Sequence, residues 1–310
     1  MKKNKNIPVK KRNPLRDWEL YLFLLIPVVY VIIFKYVPMG GLVIAFKNYK
    51  VKQGIWGSDW VGLDNFIRFF KAYQFQRVLK NTIILSLYSL LASFPFPIIF
   101  ALALNCLPKQ KFAKISQTIS AMPHFISTVV VVGMLYAIFS HTEGIYGNLM
   151  HMINGEYPSN IFLEPGNFRH LYVWSGIWQG FGWGSILYTA ALTGVDPTYH
   201  EAAKLDGASR FQRVLYVDLP AIAPTIITML ILSMGSVMSI GFEKVFLLQN
   251  SVNLSTSQVI STFTYDVGLA CSNSNFSYAT AIGMFNNVIE LILLIIVNKI
   301  SKTVSETSLW

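Results

Sequence analysis

Charge is missing from long parts of this chain, and that limits its fold more than any other feature. Residues 20–34 carry no charged side chain, and past a single Lys35 the apolar run resumes through residue 46. A hydrocarbon core about 30 Å thick is crossed by roughly 20 apolar helical residues, because a helix satisfies its own backbone where water cannot. The spacing predicts six spans, at residues 20–46, 82–107, 115–140, 171–195, 219–242 and 278–298. Only the last is broken by an acid, Glu290. The expected fold is all-α and polytopic: a basic tail (1–19), a six-helix membrane domain (20–300) that contains a polar loop (196–220), and a short C-terminal tail (301–310).

Composition agrees. Hydrophobic residues make up 53% of the chain and charged residues 13%, where a soluble domain is about a quarter charged. That excludes disorder and an ordinary soluble enzyme. The net charge of +10 raises nucleic acid as a partner, but no basic groove studded with aromatics is present. The charge reads as topology instead. With the N-terminus cytoplasmic, 15 of the 25 Lys and Arg fall in the inside segments 1–19, 108–114, 196–218 and 298–310. The opposite orientation would translocate a tail holding seven of them. The positive-inside rule therefore puts both termini in the cytoplasm, and anionic lipid headgroups are the partner of the basic excess. The basic run followed by an apolar stretch also has the form of a secretory signal. The stretch is long and no small-x-small cleavage site follows, so it reads as an uncleaved anchor. Cys106 then lies at the cytoplasmic face and Cys271 outside, so they cannot pair.

Catalytic signatures are missing. No G-x-x-x-x-G-K-[ST] occurs, so the chain binds no nucleotide through a P-loop of its own. His200-Glu201-Ala202-Ala203-Lys204 begins like a zinc-protease H-E-x-x-H, but Lys204 replaces the second histidine and no metal site is expected. The five histidines are scattered. An enzyme is thus the weaker class, and a membrane-embedded enzyme or receptor stays as the different-class alternative.

The loop between the fourth and fifth spans has the most local information. Asp196 can cap a helix with Pro197 at its first position, where the missing N–H does no harm. Gly207 can end that helix in a left-handed conformation. Ser209 and Gln212 have the spacing of a capping box for a second helix. Ala202 and Ala203 offer a small-sided docking surface flanked by Glu201 and Lys204. The residues alone leave two readings open: a docking lever or a plain connection with a solvated face.

This stretch resembles the EAA loop of ATP-binding-cassette importer permeases. That pattern is E-A-A, three residues, G, nine residues, I, any residue, L-P. Here it reads Glu201-Ala202-Ala203, Gly207, Val217, Leu219, Pro220, with valine for isoleucine as the one departure. Trp60-Val61-Gly62-Leu63-Asp64-Asn65-Phe66 and Asn81-Thr82 resemble the carbohydrate subclass. The two ends of the chain resemble permeases for complex oligosaccharides and aldouronates in Gram-positive bacteria. The resemblance implies a plasma-membrane importer subunit whose loop docks on a cytoplasmic ATPase. Its partners would be a second homologous permease, two ATPase copies and an extracellular sugar-binding protein. The chain itself would need no cofactor, since ATP and Mg belong to the ATPase. An amino acid or polyol permease is the alternative within transport.

For the passage, Gly176, Gly180 and Gly184 share one helical face and read as a close-packing ridge. Gln179 and Trp183 are four apart on a neighbouring face and offer an amide and a flat indole to a sugar, or else pack. In maltose-type permeases this part of the span lines the sugar site. The same resemblance adds Ser233, Ser236 and Ile240 on the fifth span. Glu290, deep in the sixth span, must face the bundle or a partner subunit. It is read either as a polar patch on the passage or as an acid satisfied by a neighbour. Pro95, Pro97 and Pro123 are expected to kink the second and third spans.

Overall fold

The computed structural model describes residues 18–270 and 274–305. The readings made for the basic tail through residue 17, for Cys271 and for residues 306–310 fall outside them. Among the described residues the α-helices of six or more residues are α1 (Trp18–Val31), α2 (Asp64–Lys71), α3 (Phe75–Ser93), α4 (Pro95–Asn105), α5 (Gln110–Ala121), α6 (Thr128–Phe139), α7 (Ile145–Asn154), α8 (Asn167–Thr193), α9 (Pro197–Leu205), α10 (Leu219–Gly235), α11 (Phe242–Leu248), α12 (Ile260–Tyr265) and α13 (Phe276–Ser305). The strands among the described residues are two antiparallel pieces, Lys47–Asn48 and Asp59–Trp60.

Four stretches are helical, long and apolar enough to cross a bilayer: Tyr21–Phe46, Phe75–Asn105, Arg210–Gly235 and Phe276–Lys302. While some of their apolar side chains fill the core, many face outward. On α13 these include Val288, Leu291, Ile292, Ile295 and Ile296, a stripe that only lipid or another subunit can cover. Residues 21–40 are exposed on every side, whereas the following turn, Gly40–Phe46, packs on α13.

The third expected span is corrected. Residues 115–140 do not form one helix: α5 and α6 meet at 97°. Between them Met122–Phe125 is a tight 3-10 turn containing Pro123, which has no N–H for a helical bond. Ser127 then starts a new helix, its hydroxyl accepting from the Val130 N–H at 3.4 Å. The fifth span is displaced as well. It begins at Arg210 and ends at Gly235, not at 219 and 242. Gly235, Ser236, Ser239 and Gly241 are poor helix formers, and the chain turns there before α11.

Prolines account for several of the irregular turns. A proline ring clashes with the carbonyl four residues before it. Pro220 stands four residues after Tyr216, and the chain widens into a π turn over Val214–Asp218. Pro38 follows the π turn Ile32–Tyr36 in the same way, and Pro97 falls four residues after Ser93, at the junction of α3 and α4.

At the centre stands α8. Its 27 residues make about 40 Å of helix, long enough to span. Its glycines, tryptophans, serines and glutamine make it less apolar than the other four. It packs against α3, α4, α5, α10 and α11. One core cluster joins Val173 and Ile177 to Leu85, Ile240, Val245 and Leu248, and another joins Tyr188 and Leu192 to Ile98, Ala101 and Ile222.

Of the two motifs, the first ties down the end of the first span and the second joins α3 to residues 255–260. Gly62 takes a left-handed φ of +58°. Buried Asn65 donates to the carbonyls of Ala45 (2.8 Å) and Lys47 (3.2 Å). Asn81 donates to the carbonyls of Ser255 and Gln258, and the Thr82 hydroxyl accepts from the Ile260 N–H.

Candidate functional site

Two places carry the site residues: the 196–220 loop and the surroundings of α8. In the loop, local chemistry forms the turn that the sequence predicts. The Asp196 carboxylate accepts from the Thr198 N–H at 2.9 Å, which holds its pKa below the ordinary value. Helix α9 ends in a Schellman motif: Ala208 N–H donates to the Ala203 carbonyl and Gly207 N–H to that of Lys204, with Gly207 at φ +76°. Ser209 and Gln212 exchange both bonds of the capping box. The second helix of the loop is not separate, because Arg210–Arg213 runs on through the π turn into α10.

Glu201, Ala202 and Gly207 are exposed, Ala203 and Leu219 half-buried, and Pro220 exposed. Around them Tyr199, Leu205, Phe211 and Tyr216 leave large apolar areas uncovered. A groove of about 680 Å³ runs between α9 and the base of α10, with Ala202 and Ala203 on its wall. One contact here was not read from the sequence. His200 Nε2 lies 3.1 Å from Asp218 Oδ1, and the same oxygen accepts from Asn105 Nδ2 at 3.1 Å. Asp218 is only 2% exposed. The set bolts α9 to the end of α4 and the start of α10. An acid inside the apolar run Leu215–Leu219 was the available signal. Beside it, burial and then the Asp218 charge push the Cys106 thiol above its usual pKa.

The expected passage residues fall into separate groups. Gly180, Ser233 and Ser236 come together on a cavity of about 360 Å³ between α3, α4, α8 and α10, with Gly176 and Gly184 on the same wall. The glycine ridge is therefore a cavity wall that is also closely packed at Gly176 and Gly184 and open at Gly180. A Cβ on Gly180 would meet nothing within 4 Å, although one on Gly184 would touch Pro97. The tight glycine of α8 is Gly182, whose Cβ would run into the Ser120 carbonyl oxygen.

Gln179 and Trp183 lie apart from that cavity. Gln179 Nε2 donates to the Ile126 carbonyl at 2.8 Å. Trp183 stacks on His124 with ring centres 4.8 Å apart and meets Phe125 edge-on. Both brace the break between α5 and α6. Ile240 is buried in the core. Glu290 accepts from Ser239 Oγ (2.7 Å) and Asn286 Nδ2 (3.1 Å), so it has the neighbours that satisfy a membrane acid, and it fastens α13 to the turn beyond α10.

Comparison with known proteins places these features. Residues 93–306 match the family described as binding-protein-dependent transport system inner membrane component. Protein LplB of Bacillus subtilis (strain 168) is 42% identical over 296 residues, which covers 95% of this chain and 92% of LplB. The polygalacturonan/rhamnogalacturonan transport system permease protein YteP of the same organism is 41% identical, covering 94% and 90%. A chain in the crystal structure of a bacterial ABC transporter involved in the import of the acidic polysaccharide alginate superposes with a TM-score of 0.85 at 37% identity, covering 94% of this chain and 97% of that one. A chain from the alginate transporter in complex with an alginate pentasaccharide-bound periplasmic protein gives 0.86.

Proposed function

Because the chain belongs to the family of binding-protein-dependent transport system inner membrane components, we propose that it is one permease subunit of an ATP-driven oligosaccharide importer and forms half of the substrate passage. The observation that carries this reading is the 196–220 loop. A capped nine-residue helix with small residues on its exposed face, rimmed by uncovered apolar side chains, is a docking lever. A plain connection needs none of these. On this reading six spans cross the plasma membrane with both termini inside, α8 being the fourth and the bent pair α5–α6 the third. The loop faces the cytoplasm and seats on an ATPase subunit, which binds the ATP and Mg. A homologous permease completes the passage, two ATPase copies drive it, and an extracellular sugar-binding protein delivers the substrate. The cavity at Gly180, Ser233 and Ser236 lies on the passage, with Gln179, Trp183, Ile240 and Glu290 shaping the helices around it.

The test is purification in mild detergent with mass spectrometry of co-purifying chains, alongside uptake of labelled oligosaccharides by cells. An ATPase and a second permease should co-purify, and Glu201→Lys should abolish uptake at normal membrane levels. A complex without an ATPase, or normal uptake by Glu201→Lys, refutes the reading.

A further inference from the structure

Lys244 is a buried cation with no carboxylate within 4 Å among the described residues. It sits on α11, just past the turn that follows α10, and is 8% exposed. Its Nζ donates to the Tyr172 carbonyl at 3.0 Å and lies 5.2 Å from the centre of the Tyr172 ring. That carbonyl is on α8, one turn before Gly176, so the lysine shares an oxygen already placed for the helix's own bond. A Cβ on Gly176 would stand 3.4 Å from Nζ, and the bare glycine leaves the ammonium its room against the helix. Gly176 is also part of the wall of the cavity that holds Gly180, Ser233 and Ser236.

An ammonium has three N–H donors, and one of them has a protein acceptor here. The nearby carboxylates are placed elsewhere: Glu290 is held by Ser239 and Asn286, Asp266 by Gln258, and Glu243, next in sequence, is exposed at the surface. No described carboxylate lies within 4 Å of Nζ. Buried charges are ordinarily paired, and a tie to one backbone carbonyl needs only a neutral donor. Burial brings the ammonium down to about 8, which leaves it largely protonated near neutral pH.

We infer that Lys244 supplies the positive charge that recognises the carboxylate of an acidic oligosaccharide, a chain containing uronate units, at the outer end of the passage. This deepens the importer reading and rests on it. On this inference an N–H that neither the Tyr172 carbonyl nor the Tyr172 ring takes turns to the carboxylate at Gly176, and the cavity that Gly176 lines takes the neutral part of the sugar. Neutral chains pass the same cavity without using the lysine.

The experiment measures uptake in cells that carry the complete transporter. The probes are labelled trigalacturonate and trimannuronate, their methyl esters, and neutral xylotriose. The strains carry the wild type, Lys244→Gln, Lys244→Met and Lys244→Arg. The binding protein is the same in every strain, so differences between variants isolate the permease. Lys244→Gln keeps a donor for the Tyr172 carbonyl and removes only the charge. It should lose at least about tenfold in uptake of the acids, as should Lys244→Met. Esters or xylotriose, whichever the wild type carries, should stay within about twofold, and Lys244→Arg should retain most acid uptake. Should Lys244→Met fail to reach the membrane, Lys244→Gln decides. An equal fall for acids and neutral probes in Lys244→Gln overturns the inference and leaves a structural tie. A wild type that carries neutral sugars and no acid overturns it as well, with the importer reading intact. Failure of the wild type to import any oligosaccharide brings down the importer reading itself.

Discussion

At the scale of single residues, backbone geometry and burial set the sharpest expectations. Gly207 has open space where a Cβ would stand, so its constraint is conformational alone. Gly207→Val forces a β-branched residue into a left-handed conformation at a cost of about 1–3 kcal/mol, which the end of α9 escapes by unwinding. Uptake should collapse while membrane levels hold. Gly207→Asn, which tolerates this conformation, should keep a large part of the activity. Equal behaviour of the two variants would exclude backbone strain as the cause. Lys244 sets a pH dependence of opposite kind. Its pKa in the folded chain, about 8, is below its ordinary 10.5, so the unfolded chain holds the proton more tightly. The penalty of the buried charge is full below pH 8 and disappears as pH rises toward 10.5. The melting temperature of the wild type in detergent, relative to Lys244→Met, should therefore rise between pH 7.5 and 10. A constant difference would show that burial leaves this lysine unshifted.

At the scale of elements, close contacts of α8 with its neighbours hold the bundle. Gly182→Ala drives a methyl into the backbone of α5 at Ser120, an overpacking of about 1–3 kcal/mol. Thermal melting of the purified complex should fall, and Gly180→Ala, facing the open cavity, should melt like the wild type. Gln179→Ala removes the bond that pins the α5–α6 break, about 1 kcal/mol with a further penalty if the Ile126 carbonyl stays dry. It should lower both uptake and stability, as should Trp183→Ala. Loss of uptake with an unchanged melting curve would return these two side chains to direct sugar contact. The elements also show what the sequence can reveal. The cap at Asp196, the turn at Gly207 and the box at Ser209 and Gln212 were legible because each is settled within four or five residues of chain. The faces of α8 were not. Periodicity says that Gly176, Gly180 and Gly184 align, but which neighbour meets that face depends on residues 80 positions away. The bond between His200 and Asp218 escaped because the two belong to elements that meet only after folding. The end of the fifth span escaped because Ile240 and Phe242 are apolar enough to continue a membrane helix, although the serines and glycines around them are not suited to it.

At the scale of the molecule, the distribution of basic residues and the placement of the loops make one joint statement about orientation. With Cys106 and Cys271 replaced by serine, a cysteine at Asn160 should react with an impermeant maleimide in intact cells and one at Ser209 only after lysis. Labelling at 209 from outside would invert the molecule and put the docking loop on the wrong side for any ATPase. The same whole-molecule view has a consequence for biosynthesis. The helix with the most protein neighbours, α8, is also the one least suited to lipid, since its glycines, serines and Gln179 favour a protein surround. It leaves the ribosome after α3, α4 and α5 and before α10. A segment of this kind gains little by moving into lipid alone and gains much once its earlier neighbours stand beside the exit of the insertion machinery. On the six-span proposal its arrival in the membrane is then a step of tertiary folding, set by helices already inserted and completed only when α10 follows.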